Sequence, residues 1–114
     1  MNDTDQIIKD IEDCLHKLDD ITLKWGKSRA DHEYRKEYKK VVLNLEKTKS
    51  DKKSNADRET EAYASESYKK YLWSAFTVDC EYFSLDGQKS LLERRLDSLR
   101  SLLSFNKNQI NRTM

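Results

Sequence analysis

The chain of 114 residues contains no proline and only two glycines, Gly26 and Gly87. Proline and glycine are the residues that most often interrupt helices, so their scarcity leaves long stretches without a helix breaker. Two glycines are also too few to build a glycine-rich loop whose backbone N–H groups cradle a phosphate. The sequence therefore disfavours nucleotide-binding enzymes and favours long helices.

Cysteine and long apolar runs are scarce as well. Cys14 and Cys80 are the only cysteines, and without disulfide-framework spacing they are expected to be two buried thiols in a reducing cytosol. No segment approaches the roughly 20 apolar residues that span a bilayer. The residues after Met1 lack the basic start and apolar core of a signal peptide. We therefore expect a cytoplasmic protein without a membrane partner.

Groups that converge for catalysis are also few. Glu12 and His16 share a helix face at i,i+4, a geometry that could bind a metal, but a complete site needs further ligands and a surface ion pair is favoured. His32, the second histidine, is separated from them by Gly26. There is no CxxC motif and no nucleophile elbow. We expect a protein that is not an enzyme and needs no cofactor or metal.

What the chain does contain is a sustained heptad pattern in its second half. Apolar residues recur there in steps of four and three, a period of 3.5 residues that is typical of coiled coils. The pattern predicts one long helix over residues 57–105, about 75 Å in length. The series, interrupted once at Lys89, comprises Ala64, Tyr68, Tyr71, Ala75, Val78, Tyr82, Leu85, Leu92, Leu96, Leu99 and Leu103.

Two shorter helices are predicted before it, over residues 4–25 and 31–49. The first ends at Gly26, which is expected to turn the chain. A polar, basic loop follows at 49–56, and a frayed tail at 106–114. The apolar series of the first helix is Ile7, Ile11, Cys14, Leu18, Ile21 and Trp25, and that of the second is Tyr34, Tyr38, Val41, Leu45 and Thr48.

These elements predict an all-α fold, with residues 1–114 forming a single domain. The architecture expected is an elongated helical hairpin or three-helix coiled-coil-like bundle with one long C-terminal helix. Charged residues make up 38% of the chain, hydrophobic residues 36%, and the mean hydropathy is −1.00. Such a composition leaves a thin core, so we expect a homo-oligomer.

Charge is distributed unevenly along the chain. Residues 1–24 carry a net charge of −4 and residues 35–58 a net charge of +5. In one interpretation these segments attract each other within or between chains, which charge alone favours. In the other, the lysine-rich loop neutralises the phosphates of a polyanion.

Three aromatic residues of the long helix, Trp73, Phe76 and Phe83, fall outside its heptad series. They indicate either a second buried face, and hence a bundle of three or more helices, or stacking platforms for nucleobases. The second buried face is favoured, because exposed aromatic residues promote association.

Residues 20–105 carry an ordered set of features that resembles a known family. The segments are Thr22-Leu23-Lys24-Trp25, Lys39-Lys40, Leu43-Asn44-Leu45-Glu46, Lys52-Lys53, Ala56-Asp57-Arg58-Glu59, an aromatic helix with Trp73 and Cys80, and the leucine-rich stretch Leu96–Arg100 ahead of Phe105. In this order they resemble the UvsY-type recombination mediators of T-even-like phages, and small helical proteins of other tailed phages.

The resemblance implies a ring-like homo-oligomer that binds single-stranded DNA. Proteins of this family help to load a RecA-like recombinase onto strands coated by single-strand-binding protein. Their basic DNA-contacting segment matches Lys49, Lys52 and Lys53 here, with Arg58 following.

The leading hypothesis is thus an oligomeric accessory protein that binds single-stranded DNA without reading its sequence. Its phosphate contacts are predicted at Lys39, Lys40, Lys49, Lys52, Lys53 and Arg58. One alternative is a phage protein–protein adaptor, or an inhibitor of a host factor, that uses the acidic first helix or the aromatic residues outside the series and does not touch DNA. Another is a structural coiled-coil component of a virion.

Overall fold

A computed structural model describes residues 2–113, with side chains through residue 109. This part of the chain is all-helical and forms α1 (Asp3–Lys49), α2 (Asn55–Tyr63) and α3 (Glu66–Thr113), without a strand. The predicted all-α fold with a long C-terminal helix is confirmed. Within residues 2–113, none of the helices combines the length and apolar character needed to cross a bilayer.

The chain divides into two compact units, each containing segments of α1 and α3. Unit 1 comprises Met1–Gly26 and Ser84–Met114, and unit 2 comprises Lys27–Phe83. Within each unit the two segments run antiparallel, because residues later in α1 contact residues earlier in α3. In unit 2, for example, His32 contacts Asp79 and Tyr38 contacts Tyr71.

The predicted turn at Gly26 is wrong, since α1 continues through it to Lys49. No residue in the described part of the chain has a positive φ, so Gly26 has an ordinary helical backbone. One glycine inside a helix costs only about 1 kcal/mol. Side chains on both sides of it, Trp25 and His32, bond to α3 within their own units, which offsets that cost.

The buried face of the second half of α1 also differs from the prediction. Because the helix is continuous, the buried series of residues 7–25 extends in the same steps through Ser28, His32 and Arg35, which are buried or half-buried. The predicted series of Tyr34, Tyr38, Val41, Leu45 and Thr48 lies on another face and is exposed.

The long helix predicted over residues 57–105 is interrupted at Ala64–Ser65, where α2 ends and α3 begins. The Ser65 hydroxyl accepts a hydrogen bond from the Tyr68 N–H at 3.2 Å, so serine caps the new helix. Ala64 therefore does not belong to the buried series. From Tyr68 onward the predicted series is confirmed, with each member buried or half-buried, and Gly87 does not interrupt α3.

The helix ends also differ from the prediction. The predicted loop at 49–56 is shorter, because helical structure covers all but residues 50–54. The predicted frayed tail is wrong as far as Thr113, through which α3 extends. Met114 lies outside the described residues.

Unit 1 packs through a mixed apolar and polar interface. The Cys14 thiol is buried and donates to the Leu92 carbonyl oxygen at 3.3 Å, and the Trp25 indole N–H donates to Asp86 at 2.9 Å. Lys89, the one polar member of the α3 series, places its ammonium 4.8 Å from the centre of the Trp25 ring. A cation over an indole face is favourable, which explains why lysine is accepted at this position.

Candidate nucleic-acid interface

Four of the six predicted phosphate-binding residues meet at the tip of unit 2, the segment from Lys49 to Arg58. Lys49 ends α1, Lys52 and Lys53 lie in the connection, and Arg58 lies in the first turn of α2. Lys39 and Lys40 lie nine or more residues earlier on α1, which at 1.5 Å per residue places Lys40 about 14 Å from Lys49 along the helix. The structure thus brings together only the four basic residues of the tip.

The backbone of the tip is anchored by its own polar groups. The Ser54 hydroxyl accepts from the Asp57 N–H at 3.1 Å and caps α2. Arg58 Nε donates to the Lys52 carbonyl oxygen at 2.7 Å, and the Ser50 hydroxyl donates to Glu61 at 2.9 Å. These bonds hold the connection from both sides and leave the lysine side chains at its surface.

Arg58 accordingly has a structural role that its basic character did not indicate. A guanidinium has five N–H donors, and the Nε donor is used to close the connection. Its terminal nitrogens are the groups that remain for a phosphate. The sequence contained a signal for this role, since Arg58 follows the capping residue Ser54 by one helical turn.

Neighbouring acids reduce the positive charge of the predicted site. Lys40 pairs with Glu37 at 3.3 Å, and Lys49 with Glu46 at 3.2 Å. Each pair is exposed on its lysine side, and such pairs contribute at most about 1 kcal/mol, so a phosphate can compete for these lysines.

The remaining lysines of the site form no ion pair with any described residue. Among the residues that the structure describes, Lys39, Lys52 and Lys53 are exposed and form no ion pair. Lys52 and Lys53 are therefore the unpaired lysines of the tip, whose four basic residues outnumber its two acids, Asp51 and Asp57.

A polar cluster inside unit 2 was not anticipated from the sequence. His32 Nδ1 lies 2.6 Å from Asp79 Oδ1, and its ring stacks on Tyr82 with centroids 4.6 Å apart. Arg35 donates to the Ser74 hydroxyl at 3.0 Å. The sequence did contain a signal for this cluster. The 4-3 steps of the first apolar series continue past Gly26 through Ser28, His32 and Arg35, which places these polar residues on the buried face of α1.

Tyr71 lies beside this cluster in the apolar core that Tyr68, Tyr71 and Ala75 form. Burial raises the pKa of the Tyr71 hydroxyl above its ordinary value of 10.0, and the negative charge of Asp79 acts in the same direction. The positive charge of Arg35 opposes the shift without cancelling it. Tyr71 is thus a neutral core residue at neutral pH.

The aromatic residues outside the heptad series remain mostly exposed, although the Phe83 ring makes an edge contact with His32 of α1, with centroids 5.6 Å apart. Trp73, Phe76 and Phe83 are 74%, 58% and 62% exposed. The second buried face expected for them is not formed within one chain. Cys80 is exposed as well, which contradicts the expectation of two buried thiols, since only Cys14 is buried.

Unit 1 carries a separate open groove of about 420 Å³ between α1 and α3. Its apolar walls are Ile21, Leu91 and Leu92, and Leu91 is 61% exposed. Among the described residues, no three His, Cys, Asp or Glu side chains are grouped so that they could hold a metal ion.

Comparison of the chain with protein-family models, with curated proteins and with solved structures gives no match.

Proposed function

We propose that this protein is a non-catalytic, oligomeric accessory protein that binds single-stranded DNA through the tip of unit 2. The observation that carries the proposal is the placement of Lys52 and Lys53, two exposed and unpaired cations within the described chain, on a connection anchored by Arg58 and capped by Ser54. An anchored backbone lowers the ordering cost of binding. Flexible lysine side chains suit phosphates without reading bases.

Oligomerisation is part of the proposal because one tip is a weak site. Two lysines neutralise about two phosphates and, for a single strand, contribute a slope of roughly −1.4 in log K against log salt. Between 50 and 200 mM salt this corresponds to about a sevenfold loss of affinity per copy. Several copies on one strand multiply such contacts through effective concentration.

The recombination role rests on the resemblance to UvsY-type mediators. In this proposal the protein helps to load a RecA-like recombinase, and its further partner is single-strand-binding protein. Lys39 and Lys40 extend the phosphate contacts along α1 from the tip.

The test compares Lys52→Ala/Lys53→Ala with the wild type by fluorescence anisotropy of a labelled single-stranded oligonucleotide. The matched control is Lys9→Ala/Lys24→Ala, which removes the same charge from exposed positions on the acidic part of α1. We expect weaker binding and a flatter salt dependence for the tip variant, by roughly 1.4 in slope per bound copy, and a control close to the wild type. Equal slopes for both variants, or no binding by the wild type at low salt, would refute the proposal.

A second candidate function, a protein–protein adaptor or inhibitor, is favoured by the apolar groove of unit 1. Exposed apolar walls in an open groove suit the apolar face of an amphipathic helix, and the charged lining of Lys17, Asp20 and Lys24 offers partners of both signs at its edges. An adaptor of this kind forms a stoichiometric complex with a host protein. The complex would be weakened by Leu91→Lys in the groove and unaffected by Lys52→Ala/Lys53→Ala, whereas the DNA-binding function shows the opposite pattern.

A further inference from the structure

Unit 2 exposes two apolar stripes of similar length. Stripe A lies on α1 and consists of Tyr34, Tyr38, Val41 and Leu45, which are 63%, 39%, 47% and 53% exposed. Stripe B lies on α3 and consists of Trp73, Phe76, Cys80 and Phe83, all exposed. Both stripes repeat in steps of three and four residues over about three turns, the spacing with which helices pack along a left-handed supercoil.

The two stripes face in different directions. Tyr38 and Leu45 of stripe A border a groove whose α3 wall includes Ser67 and Ser74. A helix advances about 100° per residue, so Phe76 and Phe83 lie within about 20° of the side opposite Ser74. Stripe B therefore lies on the far side of α3 from stripe A, and one chain cannot cover one stripe with the other.

The apolar area of the stripes is that of an interface core. With about 200 Å² for each aromatic side chain, the exposed parts of the five aromatic residues come to about 600 Å². Stable interfaces bury at least about 1,200 Å² in total, so the aromatic residues alone supply about half. Val41, Leu45, Cys80 and the flanking residues add to this area. Single apolar residues on a surface are ordinary, but two continuous stripes are not.

The charges at the stripe ends are complementary. Asp31 precedes stripe A by three residues and Lys69 precedes stripe B by four, and both side chains are more than half exposed. Within the chain Asp31 pairs with Arg35 at 3.8 Å and Lys69 with Glu66 at 3.7 Å, and exposed pairs of this kind contribute at most about 1 kcal/mol, so both charges can exchange partners. Neither stripe contains a charged residue. If the two helices pack in parallel, Asp31 of one copy meets Lys69 of the next. Together with the matched spacing of the two stripes and their combined exposed apolar area, this pairing favours a second copy of this chain as the partner.

We propose that stripe A of one copy packs against stripe B of the next copy. The interface is heterologous, so each copy uses one stripe toward the preceding copy and the other toward the following one, and assembly yields a closed ring or a filament. This inference deepens the oligomeric part of the proposed function by naming its interface. It is tested without DNA, so that it and the DNA-binding proposal fail separately.

The experiment measures mass in solution by light scattering and sedimentation, with helicity checked by circular dichroism. Val41→Glu damages stripe A, and Phe76→Glu damages stripe B. Leu102→Glu is the matched control, because Leu102 is 47% exposed but lies in unit 1. We expect the wild type and the control to exceed the 13.6 kDa of one chain, whereas each stripe variant alone is a monomer.

Mixing the two stripe variants provides the decisive measurement. The Val41→Glu chain keeps stripe B and the Phe76→Glu chain keeps stripe A, so an equimolar mixture should form a one-to-one dimer and grow no further. Cys80 provides a second readout within stripe B. Its reaction with a thiol reagent should be several-fold slower in the assembled wild type than in Val41→Glu, while the buried Cys14 serves as an internal reference.

Three results would overturn the inference. A monomeric wild type at tens of micromolar would mean that the stripes serve another partner. Self-association by Phe76→Glu alone would mean that stripe A pairs with itself. Wild-type mass in both stripe variants would place the interface elsewhere. If the wild type forms the expected oligomer but does not bind DNA, only the DNA-binding function is refuted.

Discussion

Replacing Gly26 with alanine tests the continuity of α1 directly. A glycine inside a helix is less favourable than alanine by about 1 kcal/mol, because its unfolded chain has more conformational freedom to lose. A Cβ at residue 26 would meet no other atom within 4 Å, so the substitution introduces no clash. Gly26 is exposed, so the new methyl group adds little burial. We expect Gly26→Ala to raise the free energy of unfolding by about 0.5–1 kcal/mol.

The assay is urea unfolding followed by circular dichroism, at one protein concentration because association also stabilises the folded state. A gain of this size moves the midpoint of thermal unfolding upward by roughly 2–5 °C for a chain of this length. Gly87→Ala is the companion variant, since its added Cβ also meets nothing within 4 Å, and we expect a similar gain. If residue 26 instead closes a helix in a left-handed turn, Gly26→Ala would destabilise the protein, and a decrease of 1 kcal/mol would refute the continuous helix.

Two further predictions concern the interior of unit 2. Ser28 is 7% exposed, and its hydroxyl has no hydrogen-bond partner among the described residues; Ser28→Ala should therefore raise the free energy of unfolding by about 1–2 kcal/mol. The control is Ser101→Ala at an exposed position, for which urea unfolding should show a gain of only about 0.5 kcal/mol from helix propensity. A lower free energy of unfolding for Ser28→Ala than for the wild type would show that the Ser28 hydroxyl is hydrogen-bonded. The raised pKa of Tyr71 means that the folded state holds this proton more tightly than the unfolded state, so its contribution to stability is present below pH 10 and is lost as pH rises through the folded pKa. When the free energy of unfolding is measured from pH 9 to 12, it should decline less in Tyr71→Phe than in the wild type. The control, Tyr34→Phe, should decline as the wild type does. Equal declines in both variants would contradict a raised pKa at Tyr71.

The buried series of α3 was predictable because it depends only on sequence spacing. From Tyr68 to Leu103 one face of the helix is apolar at a 3.5-residue period, and the opposite face offers no comparably long series. The helical state of most of the chain followed equally well, since proline is absent and glycine is rare. Lys89 was the exception in this series, and its cation–π contact with Trp25 depends on a residue of the other helix.

The second half of α1 was not predictable in the same way, because it presents two competing faces. Tyr34, Tyr38, Val41 and Leu45 form the more apolar series, yet the polar series through Ser28, His32 and Arg35 is the one that faces α3. Hydrophobicity alone favours the apolar series as the buried one. The polar series is buried instead because α1 is one continuous helix, and the buried positions of its first half continue in the same 4-3 steps through Ser28, His32 and Arg35.

The candidate site was also predictable only in part. The position of Lys52 and Lys53 in a loop followed from a polar stretch without an apolar anchor. The bond from Arg58 to the Lys52 carbonyl oxygen and the pairing of Lys49 with Glu46 did not follow. They depend on side-chain directions at helix ends, which composition does not specify.

The amino-acid sequence by itself determined that this protein is helical, where its polar connection lies, and which face of α3 is buried. These are local properties, set by backbone propensity and by the period of the apolar residues. Only the tertiary structure decided that α1 passes through Gly26 without a turn and that Ser28, His32 and Arg35, followed by Val42 and Leu43, face α3. Those outcomes depend on the packing of one helix against another, which fixes the phase of α1 across the glycine and leaves its apolar stripe on the surface.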